Sequence, residues 1–176
     1  MNDLLLLAAL LAGPQHGYAL KKHVGLITGR REMHNNLVYP LLRRFVENNW
    51  VSQRHSAGQR GQTREMYTLT AKGKQELVAR LSDYREDEVS SENGFRFRVG
   101  LFAILKPETR QRILDTRQNF LAVREQRLAH ISGAVDAGKW GGEVIDFFRK
   151  QIRAEQLWIA RLARKAKREA RSPRDT

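Results

Sequence analysis

Cysteine is absent from the 176 residues. The chain therefore has no disulfide, no thiol nucleophile and no thiolate-held zinc or iron–sulfur site. A reducing, cytoplasmic setting fits that absence. No apolar run reaches the roughly 18 residues that a membrane-spanning helix needs, and no membrane partner is expected. Leu4–Ala12 is apolar, but no basic segment precedes it and no small-residue cleavage site follows. A secretory leader is not expected. A P-loop, a G-x-G-x-x-G turn and a G-x-S-x-G elbow are all missing, so neither an enzyme nor a cofactor is expected. His16, His23, His34, His55 and His130 form no H-x-x-x-H pair, and no metal is expected. Acidic residues are also scarce, with 19 Asp and Glu against 32 Lys and Arg, a formal charge of +13. That excess asks for a polyanionic partner.

The charge is not evenly spread. Residues 1–80 hold 12 basic and 5 acidic residues, while residues 81–176 hold 20 and 14. The second half is dense in both signs, as solvated helices are. In the first half the basic residues cluster: Lys21 with Lys22, Arg43 with Arg44, and Arg54, Arg60 and Arg64 around a glycine-containing stretch.

Periodicity predicts a short helix over Leu4–Leu11, ended by Gly13-Pro14. A second helix is predicted over Gly17–Thr28, with Leu20, Val24 and Ile27 on one face. A third follows, capped by Asn35 or Asn36 and running to about Asn48, with Pro40 in its first turn. Leu41, Leu42, Phe45 and Val46 form its apolar stripe. Strands are predicted over Trp50–His55 and Thr63–Leu69, joined by Ser56–Gln62. Thr70 caps a fourth helix extending towards Ser91. Asn93-Gly94 reads as a hinge, followed by a short helical segment from Phe95 to Leu105. A long helix is predicted from Pro107 to about Val135, a turn over Gly138–Gly142, and a last helix from Glu143 to about Ala170.

Three helices followed by a two-stranded hairpin is the order of a winged helix-turn-helix. The third helix would enter the major groove of DNA, which admits one α-helix. Its polar positions Asn35, Asn36, Tyr39, Arg43 and Arg44 suit that task, because Arg pairs with guanine and Asn with adenine through two hydrogen bonds. Arg60 and Gln62, on flexible glycines, suit a wing that touches phosphate or the minor groove.

Three motifs strengthen this reading. They are His16-Gly17-Tyr18-Ala19-Leu20, Val38-Tyr39-Pro40-Leu41-Leu42-Arg43-Arg44 and Arg64-Glu65-Met66-Tyr67-Thr68-Leu69-Thr70-Ala71-Lys72-Gly73. In order and spacing they resemble the signatures HGYxL, GTxYPxLxRL and RxxYxLTxxG of the PadR family of bacterial transcriptional regulators. The resemblance spans nearly the whole chain, more loosely after residue 92. It implies a mainly α protein, with an N-terminal winged helix-turn-helix carrying a two-stranded β wing (residues 1–92) and an all-α dimerisation and effector-sensing domain (residues 93–176). It implies a homodimeric repressor on a pseudo-palindromic operator. It places His16, Tyr18, Tyr39, Pro40 and the basic wing residues near DNA. With Lys21, Asn35, Asn36, Arg43, Arg44, Arg60, Gln62 and Arg64 these make the candidate DNA surface. Two positions depart from the pattern. Asn36-Leu37 stands where the family has Gly-Thr, so its contacts do not transfer unchanged. Asn49 stands where a glycine usually closes the third helix, and Asn tolerates the left-handed backbone such a cap needs.

In the long helix Ile113, Leu114, Phe120, Leu121, Leu128 and Ile131 fall within an arc of about 120°. Arg117 and Arg124 fall inside the same arc. A guanidinium on an apolar face needs a partner. The partner is a carboxylate such as Asp146 or Glu155, or the carboxylate of a small effector; otherwise the long stems reach solvent. Phe97 and Arg96, with Trp140 and His130, supply further rings and cations, and Trp158 another flat surface. The family resemblance makes a small aromatic acid the expected effector. A competing reading is a basic helical protein that binds acidic membrane surface or RNA through Arg161, Arg164, Lys165 and Arg168. Sequence-specific binding to duplex DNA separates the two.

Overall fold

The computed structural model describes residues 1–28, 33–57, 63–134 and 138–171. They form two compact units, Met1–Asp83 and Tyr84–Thr176.

The first unit opens with α1 (Asn2–Ala9), extended by a 3-10 turn over Leu10–Ala12. Leu4–Leu10 is buried without a break, so α1 is a core helix rather than a two-faced one. Gly13 turns the chain with φ +119°, a conformation that favours glycine. Then come β1 (Gln15–His16), α2 (Gly17–Thr28) and α3 (Asn35–Glu47), followed by β2 (Val51–Ala57), β3 (Thr63–Leu69) and α4 (Ala71–Ser82). The strands make one antiparallel sheet in the order β1-β3-β2, with Gln15 opposite Tyr67 and Gln53 opposite Tyr67 on the other side. The wing thus gains a third strand beyond the two expected. A two-residue strand carries no alternation of its own, and only pairing with β3 makes it one.

Three details of this unit correct the sequence expectation. His34, not an asparagine, occupies the N-cap of α3, and it makes no side-chain cap bond. Pro40 is the sixth residue of α3, past the first turn. It therefore withholds the N–H that the Asn36 carbonyl would accept from inside the helix. And α4 stops at Ser82 instead of reaching towards Ser91. Thr70 does cap it, with its hydroxyl oxygen accepting from the Gly73 amide at 2.9 Å. The same hydroxyl donates to the Asn49 carbonyl at 2.7 Å. Asn49 itself adopts φ +59°, the left-handed cap that its residue type tolerates.

The second unit holds α5 (Glu86–Val89), α6 (Glu92–Gly100), a 3-10 turn (Phe102–Ile104), α7 (Pro107–Ala134) and α8 (Gly138–Arg171). Asn93-Gly94 is no hinge. Both residues lie in the first turn of α6, where Ser91 Oγ accepts from the Gly94 amide at 3.0 Å. Gly138–Gly142 is not a turn either, because α8 begins at Gly138. Its glycines cost helix propensity, yet α8 runs through them without a break. In this unit α5 packs with α6 and α7.

α7 and α8 pack against each other as antiparallel neighbours. Ile113, Leu114 and Leu121 of α7 and Ile152 and Ile159 of α8 are buried. Arg117, fully buried, donates from Nε to Glu155 Oε1 at 2.8 Å and from Nη2 to Glu155 Oε2 at 3.0 Å. Its Nη1 donates to the Val89 carbonyl. Glu155, not Asp146, is its partner. Arg110 pairs with Glu169 at 2.7 Å. No helix among the described residues is long and apolar enough to cross a membrane.

Candidate nucleic-acid interface

α3 has one buried line, Val38, Leu42 and Phe45. At 100° per residue the opposite line is Asn36, Pro40, Arg43 and Glu47. All four are exposed. Asn36 and Arg43 supply the donors that base edges and phosphates accept. Glu47 ends the line with a charge that phosphate repels. The line therefore suits an anionic groove from Asn36 to Arg43, short of its C-terminal end.

Tyr39 flanks this line on the side of α2 and is 43% exposed. Its ring lies over Gly17, where a methyl group would stand 3.0 Å from Tyr39 Cε1. The next residue, Tyr18, is 66% exposed, and the Lys21 ammonium lies 5.7 Å from its ring centre. His16 Nδ1 donates to the Glu65 carbonyl at 3.1 Å. A carbonyl only accepts, so Nδ1 carries the proton and Nε2 is the nitrogen left for another partner. His16, Gly17, Tyr18 and Tyr39 are thus gathered at the start of α2, although the whole of α2 separates His16 from Tyr39 in the chain.

Arg44 leaves the exposed line of α3 for its other flank. Its guanidinium lies 3.8 Å from the Asp3 carboxylate and 5.9 Å from the Phe45 ring centre. Arg80 reaches the same carboxylate at 2.5 Å, pairs with Glu76 at 2.6 Å and covers the Trp50 ring at 4.6 Å. Burial by itself pushes the Asp3 carboxyl up. The Leu4 amide, the N-terminal amine and Arg80 overcome that and hold it below the ordinary carboxylate range. Arg44 thus belongs to the cluster that ties α1 to α3 and α4.

In the sheet, Tyr67 is buried and donates its hydroxyl proton to Glu65 Oε2 at 2.5 Å. Burial and the Glu65 carboxylate both push the Tyr67 hydroxyl far above its ordinary value. Gly73 explains the last residue of the third motif. A methyl there would stand 2.0 Å from the Trp50 carbonyl oxygen. Arg60 and Gln62 lie outside the described residues, and of Arg64 only the backbone, in β3, is described.

The six candidate effector residues lie apart. Arg117 is buried with its donors engaged. The Arg124 guanidinium lies 5.1 Å from the Phe148 ring centre. His130 is exposed on α7, and Trp140, at 83% exposure, lies in the first turn of α8. Phe97 is half-buried on α6. Arg96 alone of the six lines a cleft of about 240 Å³, with Glu92, Gln151, Ala154, Glu155 and Trp158. Its guanidinium pairs with Glu92 at 3.1 Å.

Sequence reasoning missed Arg98. It is fully buried, donates to Glu88 and lies 4.6 Å from the Tyr84 ring centre. The signal was its i, i+3 spacing from the buried Phe95, which puts both on one face of α6.

Residues 6–79 match the family model of the transcriptional regulator PadR-like family. No curated protein matches the chain. Among solved structures, a chain described as a transcriptional regulator of Thermoplasma acidophilum is 31% identical, with 44% of this chain and 71% of that one covered, at a TM-score of 0.40. Bacillus subtilis PadR, solved in complex with operator DNA, is 16% identical, with 93% and 98% covered, at a TM-score of 0.46. A PadR family transcription regulator from Clostridium difficile R20291 is 27% identical, with 49% and 88% covered, at a TM-score of 0.40. The matched family is one of transcriptional regulators and not an enzyme class. All three motifs of the first unit lie within the matched span, and it is this segment, residues 6–79, that belongs to the transcriptional regulator PadR-like family.

Proposed function

We propose that the chain is a homodimeric repressor that binds a pseudo-palindromic DNA operator through α3 and the β2–β3 wing. The observation that carries this reading is the two-sidedness of α3. It buries Val38, Leu42 and Phe45 and exposes Asn36, Tyr39 and Arg43 beside Tyr18. Homodimerisation is supported by an uncovered apolar face. Trp140, Val144 and Phe147 follow the i, i+4, i+7 spacing on α8 and are 83%, 53% and 56% exposed. A two-fold dimer would present two α3 helices to major grooves about 34 Å apart.

The effector of this reading is a small aromatic acid. Its support is the cleft that Arg96 and Trp158 share, a cation for the carboxylate and a flat ring for the aromatic group. Binding there would draw Arg96 away from Glu92. The acid induces only by favouring one dimer geometry over another. A gel shift on the DNA upstream of the chain's own coding region tests the whole reading. A retarded band that specific competitor removes, and that an aromatic acid releases, is the expected result. Binding indifferent to sequence would overturn the operator. Release unchanged in Arg96→Ala and Trp158→Ala would overturn the cleft.

A further inference from the structure

Residues 147–171 contain nine basic and two acidic residues. That surplus of seven is more than half of the chain's net +13. Both acids are engaged on the α7 side. Glu155 holds Arg117, and Glu169 holds Arg110. Glu155 is mostly buried, and Glu169, 39% exposed, lies about 40° beyond Lys165 at the rim of the solvent side of α8. There Lys150, Arg153, Arg161, Arg164, Lys165 and Arg168 are all exposed. At 100° per residue they fall within an arc of about 120°, and at 1.5 Å per residue they span about 27 Å. Glu143 and Asp146 share that side nearer the start of α8, and the ridge of cations begins beyond them. From α7, Glu125 approaches Arg153 at 3.7 Å, but that arginine is itself 71% exposed, so the pair neutralises little.

We propose that this ridge is a second, sequence-independent contact for the phosphate backbone of duplex DNA. The choice of polyanion rests on the duplex-DNA reading above, and the ridge's own chemistry supports it. A helix lying on a membrane carries a broad apolar face beside its cations. Here Leu157, 70% exposed, is the one exposed large apolar residue between Lys150 and Arg168. A single-strand site stacks bases on aromatic rings. The one ring in that stretch, Trp158, packs edge-on against Phe95 at 5.7 Å instead. Cations spaced along a rod, without free rings or an apolar face among them, match a regular line of phosphates.

The test is the salt dependence of binding by the full chain to a random-sequence duplex. Each lost phosphate contact lowers the slope of log K against log salt by about 0.9. The variant R161Q/R164Q/K165Q/R168Q is expected to lower that slope by about two to four. A control with the same charge loss elsewhere, K72Q/K74Q/K106Q/R127Q, is expected to lower it by less than about one. R161K/R164K/R168K keeps the charges and is expected to keep the slope, which separates charge from folding. An unchanged slope in the glutamine variant, or a fall equal to the control's, overturns the proposal. So does a loss confined to poly(U) or to phosphatidylserine vesicles. A wild-type chain without operator preference but with a ridge-dependent slope overturns the operator reading alone. Operator preference with a ridge-independent slope overturns the ridge alone.

Discussion

The Tyr39 ring of α3 rests on Gly17 at the start of α2, with 3.0 Å left for a methyl group. The glycine of the first motif is therefore shaped by the tyrosine of the second. Gly17→Ala adds helix propensity to α2 and crowds an aromatic ring that is free to yield. Thermal stability is expected to change by less than about 1 kcal/mol, while operator affinity falls as Tyr39 is displaced. Calorimetry and a binding titration on the same variant check the pair of outcomes.

Gly73 offers no such freedom. The obstacle there is the Trp50 carbonyl, 2.0 Å from an added methyl group, and backbone cannot swing aside. Gly73→Ala is expected to cost about 1–3 kcal/mol or more. A urea midpoint equal to that of the wild type would contradict the packing.

Arg43 and Arg44 are neighbours with different surroundings. Arg43 lies on the exposed line of α3, and Arg44 lies 3.8 Å from Asp3. Arg43→Ala is expected to cost about 1–3 kcal/mol of operator binding and to relax sequence choice. Arg44→Ala is expected to leave sequence choice unchanged. A base-substitution series across the operator distinguishes them.

Arg117 and Glu155 are a buried pair, fully and almost fully removed from solvent. Breaking it from one side, as in Glu155→Gln, is expected to cost about 3–5 kcal/mol. Replacing both, as in R117M/E155L, is expected to recover most of that loss. Urea unfolding of the two variants measures the difference.

Asp3 links stability to acid. Its carboxyl titrates below the ordinary value of 3.8 in the folded chain. The stability it contributes is therefore complete above that ordinary value and is lost as pH falls through the folded one. Asp3→Asn should be less stable than the wild type near neutral pH. The gap should close on acidification from about pH 5 to about pH 2. A constant gap across that range would show that Asp3 acts through packing instead.

Much of the first unit was legible because its signals are local. Thr70 caps α4 through a hydroxyl three residues from the amide it accepts. Asn49 takes the left-handed backbone that ends α3. The apolar spacing of α2 and the alternation of β3 returned Gly17–Thr28 and Thr63–Leu69 without shift. The boundaries that moved did so where local preference was weak or outweighed. Glycines at 138, 141 and 142 suggested a turn, but α8 runs through all three. His34 took the cap that an asparagine suits better.

Residue order alone was enough for the winged helix, the family motifs and the surplus of positive charge, because each depends on residues a few positions apart. Pairing across the chain depended on the tertiary fold. It made a strand of Gln15–His16, drew Arg44 to Asp3, buried Arg98 and chose Glu155 over Asp146 for Arg117. It also paired both carboxylates of residues 147–171 with arginines of α7, which left the cations of α8 on the outside. A sequence lists the charges of a helix; only the neighbour it packs against decides which of them remain unpaired.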